Sequence, residues 1–245
     1  MTGVINTCVF GRFAALTALA VSMGWMSAAV AQQIKVDALV CVANDVSASV
    51  EEEEYKIQKD GTARAFLLPA LHNAVKEGPN KRVAVTYVEW STDPYLVIDW
   101  TILQDAETST DFGKAILSAS RSPVGNTGVR DALQFCADLI RTSPFTADRR
   151  VIDISSDGMS SVGGLPQPIR DEALAEGMII NALLQSGGSQ TLPNWYRRQV
   201  VGGPKSFIIE IEEPSVYGQA MLRKLTRELI GEAGPDYIFI PANGG

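Results

Sequence analysis

Histidine is nearly absent from this 245-residue sequence, in which His72 is the single example. A serine hydrolase needs an imidazole placed beside its nucleophile, and His72 falls within a predicted helix, away from the polar segments that follow the strands. The Gly-x-Ser-x-Gly elbow of the α/β-hydrolases does not occur. No Gly-x-Gly-x-x-Gly follows the first predicted strand, which argues against a dinucleotide-binding oxidoreductase.

Cysteine is also scarce, with three residues at positions 8, 41 and 136 and no Cys-x-x-Cys motif. Zinc binding and thioredoxin-like chemistry are therefore unsupported. Cys41 belongs to an apolar predicted strand and Cys136 to a predicted helix, so the sequence favours two buried free thiols. A disulfide between them remains open, because an exported compartment permits one.

Basic residues are outnumbered, with 21 lysines and arginines against 28 aspartates and glutamates and a formal net charge of −7. Nucleic-acid-binding domains present a basic surface, so we expect no nucleic-acid partner. An anionic membrane surface is an equally poor partner for this chain. Acidic and basic residues are interspersed along the chain rather than grouped in blocks of one sign, so the charge pattern does not indicate disorder.

The N-terminal segment has the pattern of a secretory signal peptide. Arg12 is its only charge, an apolar stretch runs from about Phe13 to Met26, and Ala29 and Ala31 form a small-x-small site. A membrane anchor is the alternative, but the stretch is short beside the roughly 20 residues of a spanning helix. We therefore expect a signal peptide at 1–31, a periplasmic or secreted protein that is not inserted in a membrane after cleavage, and a single domain at 32–245.

Apolar, β-branched runs alternate with helical patterns along the rest of the chain. This alternation predicts an α/β fold with a doubly wound sheet and helices on both faces. The short turn at 91–94 predicts an antiparallel hairpin within an otherwise parallel sheet. We expect one long helix from Val50 to about Lys76, kinked or divided at Pro69. The stretch from Gln185 to Gly203 is predicted to be irregular, with Trp195 and Tyr196 as either core or exposed contact residues.

Oxygen-bearing side chains follow two of the predicted strands. Asp45, Ser47 and Ser49 come after an apolar run at 36–43, and Asp157 follows the run at 151–155. Thr127 lies on a loop that enters a helix. Ligands of open α/β sheets bind beyond the carboxyl ends of the strands, and carboxylate and hydroxyl oxygens suit a hard cation such as Mg²⁺. If the two strands are neighbours, these five side chains meet at one cation site.

In order, spacing and strand-helix context, these residues resemble the metal-ion-dependent adhesion site of von Willebrand factor A domains. Further stretches resemble a bacterial family of exported A-like domains with no assigned function, and they lie at 85–91, 149–155, 179–183 and 201–204. The resemblance spans about 36–230. The sequence departs from the narrower family at Gly128 and in the segment after Asp157, which affects the rim of the site more than its ligands.

The resemblance implies a Rossmann-like, mostly parallel six-stranded sheet with one antiparallel strand. It also implies an Mg²⁺ or Mn²⁺ ion, and the side chains expected to bind it are Asp45, Ser47, Ser49, Thr127 and Asp157. The function implied is binding of a protein ligand through an acidic side chain, rather than catalysis. A metal-assisted hydrolase is the alternative, since a bound cation can activate water.

Three of the five candidate ligands also have a purely structural interpretation. Ser49 and Glu52 fit the Ser-x-x-Glu capping box of a helix, and Thr127 fits an N-cap. Asp157 and Gly158 fit a turn. Asp45 is harder to explain structurally, because a carboxylate at the end of a buried strand needs a partner.

Overall fold

The structure is a computed structural model that describes residues 1–3 and 33–242. The predicted signal peptide therefore lies outside the described residues, apart from its first three. Within the described part of the chain, no helix is long and apolar enough to cross a membrane.

Residues 33–242 form a seven-stranded sheet in the order β3-β2-β1-β4-β5-β6-β7. Only the β2–β3 pair is antiparallel. The strands are β1 (Ile34–Asp45), β2 (Val83–Trp90), β3 (Pro94–Leu103), β4 (Phe145–Ser156), β5 (Ile179–Gln185), β6 (Ile208–Ile211) and β7 (Tyr237–Ile240). The doubly wound α/β prediction is confirmed. The expected six strands are one too few, because the short C-terminal segment pairs in parallel with β6 as an edge strand.

Two helical layers cover the sheet. The helices are α1 (Glu52–Leu67), α2 (Pro69–Val75), α3 (Ala106–Ser118), α4 (Val129–Arg141), α5 (Gln167–Ala175), α6 (Thr191–Gln199) and α7 (Tyr217–Ile230). One apolar cluster joins α1, α2, α3 and α7 to one face of the sheet, and a second joins α4, α5 and α6 to the other. The central strands are buried on both faces, which explains their nearly continuous apolar sequences.

Two predictions about helices have different outcomes. The helix after β1 is divided at Pro69, as expected, because proline starts α2 where its missing N–H needs no partner. The prediction of an irregular stretch from Gln185 to Gly203 is wrong, since α6 lies within it. Leu192 and Tyr196 are buried one turn apart on that helix, so Tyr196 is a core residue and not an exposed contact.

The prediction of two free thiols is wrong. Cys41 on β1 and Cys136 on α4 form a disulfide, with their Cα atoms 5.8 Å apart. Both residues are completely buried in the apolar layer between the sheet and α4. Apolar surroundings suit a buried thiol and a buried disulfide equally, so the sequence pattern could not distinguish them.

The disulfide should contribute strongly to stability. It joins residues 95 positions apart, and closing a loop of that length lowers the entropy of the unfolded chain by an amount equivalent to about 4–5 kcal/mol. We expect the Cys41→Ala/Cys136→Ala variant to lose a free energy of unfolding of that order in urea titrations. Peptide mapping without reductant should recover the two half-peptides linked, and recovery of both cysteines as free thiols would contradict the assignment.

Candidate metal centre

The candidate site lies where the order of the strands reverses. Starting from β1, the chain adds β2 on one side and later β4 on the other, and β1 pairs in parallel with both. In register, Asn44 lies opposite Ser155, so the ends of β1 and β4 are level at the same edge of the sheet. Asp45 is the last residue of β1, and Asp157 directly follows β4. Such a crevice is the usual ligand site of a doubly wound sheet.

The structure brings all five predicted side chains together. Ser49 Oγ donates to Asp157 Oδ1 at 2.8 Å, and the hydroxyls of Ser47 and Ser49 are 3.3 Å apart. Thr127 Oγ1 lies 3.4 Å from Ser47 Oγ. Asp45 Oδ1 accepts from the backbone N–H of Ser47 at 2.8 Å. We call these five residues the oxygen cluster.

Burial differs across the oxygen cluster. Asp45 and Ser47 are completely buried, whereas Thr127 and Asp157 are partly exposed and Ser49 is exposed. Loss of solvation raises the pKa of Asp45 to about 7, against the lowering effect of hydrogen bonds from Ser156 and Ser47. Burial also raises the pKa of Asp157. The cluster thus holds two carboxyl groups whose charged forms lack solvation, and a cation would stabilise both.

The donor set fits a hard divalent cation. Neighbouring oxygens around octahedral Mg²⁺ are about 3 Å apart, given metal–oxygen distances of about 2.1 Å. The oxygen contacts among the Ser47, Ser49, Thr127 and Asp157 side chains span 2.8–3.4 Å. Among the described residues, no group of three or more His, Cys, Asp or Glu side chains could hold a metal ion. A cation here would therefore depend on hydroxyl oxygens as well as carboxylates.

The helix-capping interpretations are wrong. The N-cap of α1 is Glu51, whose backbone N–H donates to Glu54 Oε2 at 3.3 Å, so Ser49 precedes the cap and is turned toward Asp157. The N-cap of α4 is Gly128, which leaves the Thr127 hydroxyl to contact Ser47. The hydroxyl groups of both residues are directed into the oxygen cluster.

Comparison with known proteins places the chain in a family. The model of a protein family described as "Protein of unknown function (DUF1194)" matches residues 35–233. The chain belongs to this family. A search of the curated proteins finds no match.

Solved structures similar to this family member have the von Willebrand factor A fold. Proximal thread matrix protein 1 from the mussel byssus, with a zinc-occupied MIDAS motif, aligns with a TM-score of 0.59 and 17% identity over 81% of this chain and 48% of that chain. A von Willebrand factor type A protein from Catenulispora acidiphila aligns with a TM-score of 0.58 and 12% identity. The match covers 80% of this chain and 43% of that chain.

The vWF domain of the type V pili tip protein Mfa5 from Porphyromonas gingivalis gives a TM-score of 0.55 and 14% identity, and the match covers 82% of this chain and 98% of that chain. The chain spans about half the length of the mussel protein. The predicted resemblance to von Willebrand factor A domains is confirmed at the level of the fold.

Two contributors to the site in this family member were not predicted from its sequence. Ser156 Oγ donates to Asp45 Oδ2 at 2.6 Å, and it accepts from the backbone N–H of Gly158 at 3.2 Å. The only sequence signal was a hydroxyl at the last residue of β4, directly before Asp157. Ser156 therefore holds the second oxygen of Asp45 and fixes its carboxylate plane.

Arg121 is the second unpredicted residue, and it links the loops that carry the hydroxyls. Its Nη2 donates to Val50 O at 2.7 Å and to Val46 O at 3.2 Å. The guanidinium lies 4.6 Å from the centre of the Tyr55 ring. The two accepting carbonyls bracket Ser47 and Ser49, so Arg121 fixes the segment that presents both hydroxyls.

Buried Glu89 anchors the loop around Arg121 to β2. It accepts from the Ser122 backbone N–H at 2.7 Å and from the Tyr55 hydroxyl at 3.0 Å. A third link joins Ala48 N to Gly125 O at 2.8 Å. These contacts set the spacing between Ser47 and Thr127, which lie on different loops.

If the oxygen cluster binds Mn²⁺, Arg121→Met should lower that affinity about tenfold or more, because Val46 O and Val50 O lose their charged donor, Glu52 loses its ion-pair partner and the loop loses its fixed position. Metal-free stability should fall by only about 1–3 kcal/mol. Arg141→Met is the matched control, since Arg141 pairs with Glu176 and Asp138 at the far end of α4. Calorimetric Mn²⁺ titrations of the three proteins measure the effect, and equal affinities would contradict the role of Arg121.

The pH dependence of metal-free stability should report the buried Asp45 carboxyl. Its folded-state pKa is raised from 3.8 to about 7, so its stabilising contribution is present below pH 4 and is lost as the pH rises through 7. Asp45→Asn removes this titration. Relative to the wild type, the metal-free variant should gain stability between pH 4 and 7.5, by on the order of a few kcal/mol. A constant difference in melting temperature over that range would contradict the assignment.

Proposed function

We propose that this protein is an exported, divalent-cation-dependent protein-binding module. In this proposal the oxygen cluster binds Mg²⁺ or Mn²⁺, and an acidic side chain of a protein partner supplies a further ligand. The observation that carries the proposal is the convergence of two carboxyl groups and three hydroxyls from three separate loops at the switch point of the sheet.

The buried and the exposed residues of the oxygen cluster would bind different sides of the cation. Asp45 and Ser47, which are buried, would hold the inner side of the cation, while Ser156 and the Ser47 backbone N–H fix the Asp45 carboxylate. Ser49, Thr127 and Asp157 lie nearer solvent and would form the outer rim. When bound, the cation supplies the positive charge that a partner's carboxylate needs at an otherwise acidic surface.

The neighbours in the structural comparison support a binding role. They include a byssal matrix protein and pilus proteins, and one of them has a zinc-occupied MIDAS motif. Export and a periplasmic or extracellular location are part of the proposal. The signal-peptide pattern at 1–31 supports them, as does the occurrence of pilus adhesins among the similar structures.

No contact at the oxygen cluster favours a hydrolase with Ser47 or Ser49 as its nucleophile. His72, the only histidine of the sequence, is buried on α2, and its Nε2 forms a 2.8 Å hydrogen bond with Phe66 O. Ser47 and Ser49 therefore have no imidazole to activate them. Their hydroxyls contact other oxygens, which is the arrangement of a ligand set rather than of a nucleophile and its base.

Thermal melts with and without metal test the cation site. We expect the wild-type protein to gain about 2.7 kcal/mol when Mg²⁺ or Mn²⁺ is present at a hundredfold excess over its Kd. Asp45→Asn should abolish this gain. Ser47→Ala should reduce it less, because a neutral hydroxyl contributes less to cation binding than a carboxylate.

Asp148→Asn is the matched control for the melts. Asp148 is 88% exposed and pairs with Lys35 at 2.8 Å, so its loss should leave the metal response unchanged. A wild-type protein whose melting temperature is the same in EDTA and in millimolar Mn²⁺ would overturn the proposal. So would an Asp45→Asn protein with the full wild-type response.

A further inference from the structure

The most exposed large apolar side chains of residues 33–242 flank the oxygen cluster. Leu165 is 61% exposed and Val124 is 54% exposed, and they are followed by two residues at 44%, Met159 and, at the opposite end of β1, Ile34. Val124 lies three residues before Thr127, and Met159 lies two residues after Asp157. Exposed apolar side chains gathered around a polar site are typical of binding surfaces.

A small open pocket lies beside the oxygen cluster. It has a volume of about 230 Å³, and its walls include Val162, Leu165 and Trp195. Ligand pockets for whole small molecules are larger, roughly 300–1,000 Å³. This pocket therefore suits a single apolar side chain.

The segment that lines the pocket is hydrogen-bonded to Thr127 of the oxygen cluster. The backbone N–H of Ser161, which lines the pocket, donates to Thr127 O at 2.9 Å, and the Thr127 N–H donates to Ser161 Oγ at 3.1 Å. The segment that leads from Asp157 to the pocket is also anchored to α6, because the buried Tyr196 hydroxyl donates to Gly158 O at 3.2 Å. A chain bound at the cluster could thus place a neighbouring side chain in the pocket.

The opposite side of the oxygen cluster is acidic. Glu51, Glu52 and Glu53 are exposed at the start of α1, which covers one face of the sheet, whereas Trp195 lies on α6 over the other face. The cluster at the sheet edge lies between them. Glu52 pairs with Arg121 at 3.0 Å, so a partner that spans this edge would meet the pocket on one side and the carboxylates of Glu51 and Glu53 on the other.

We propose that the partner is a protein segment with one acidic residue flanked by an apolar residue and a basic residue. The acidic side chain would occupy the metal site, the apolar one would enter the pocket of Leu165 and Trp195, and the basic one would pair with the carboxylates of Glu51 and Glu53. Charge complementarity selects a basic flank, because a second acidic residue would face those glutamates. This inference rests on the proposed function and specifies its partner.

Synthetic heptapeptides with a central aspartate provide the probe. Each peptide carries leucine or serine on one side of the aspartate and lysine or glutamate on the other. Each combination is made in both orders along the peptide. Binding to the purified protein is followed by fluorescence polarisation in Mn²⁺ and in EDTA. The variants are Leu165→Ser and the control Leu117→Ser, since Leu117 is 39% exposed on α3.

We expect the leucine–lysine peptide to bind only with Mn²⁺, and roughly tenfold more tightly than its serine or glutamate counterparts. Leu165→Ser should remove the preference for leucine and keep the affinity for Mn²⁺ alone, whereas Leu117→Ser should change neither. If Leu165→Ser and Leu117→Ser prefer the leucine peptide over the serine peptide to the same degree, the pocket assignment is overturned. A wild-type protein that binds Mn²⁺ but none of the peptides would also overturn it. Failure of the wild type to bind Mn²⁺ would instead overturn the proposed function itself.

Discussion

The site depends on one constraint, the parallel pairing of β1 with β4 beside the point where the strand order reverses. This pairing brings the ends of two buried strands to the same level, so the polar side chains at those ends lie close together, as the contact between Ser156 and Asp45 shows. Asp45 is completely buried as a result, and its carboxyl group has a pKa raised to about 7 by loss of solvation. A carboxylate in such a position costs free energy unless it is compensated, and a bound cation is a compensation consistent with the surrounding oxygens.

The loops around this carboxyl group are fixed from several directions. Arg121 holds the segment with Ser47 and Ser49, and Glu89 holds the segment that contains Arg121. The Cys41–Cys136 disulfide joins β1 to α4, the two elements that lead to and from the hydroxyl-bearing loops. Four of the five candidate ligands therefore sit on loops, and Asp45 ends β1, but the positions of those loops are set by covalent and buried contacts. Such preorganisation is what a selective cation site requires.

The sequence was most informative where a local pattern carried the structure. The apolar runs that became β1, β4 and β5 were evident, and the residues after them were recognisable as one oxygen-rich set. Where two packings produce the same local pattern, the sequence could not distinguish them. Cys41 and Cys136 are equally apolar as thiols or as a disulfide, and the Ser49-x-x-Glu52 pattern also matches a capping box that the fold does not use. Arg121 and Ser156 act across long separations in the chain, so no local pattern reveals them.

Anomalous diffraction from crystals grown with Mn²⁺ would test the central claim most directly. The account predicts one strong manganese peak at the carboxyl ends of β1 and β4, with the hydroxyl oxygens of Ser47 and Ser49 roughly 2 Å from it. The Asp45→Asn protein, crystallised in the same way, should show no peak there. A manganese peak elsewhere in the wild-type protein, or none at all, would contradict the account.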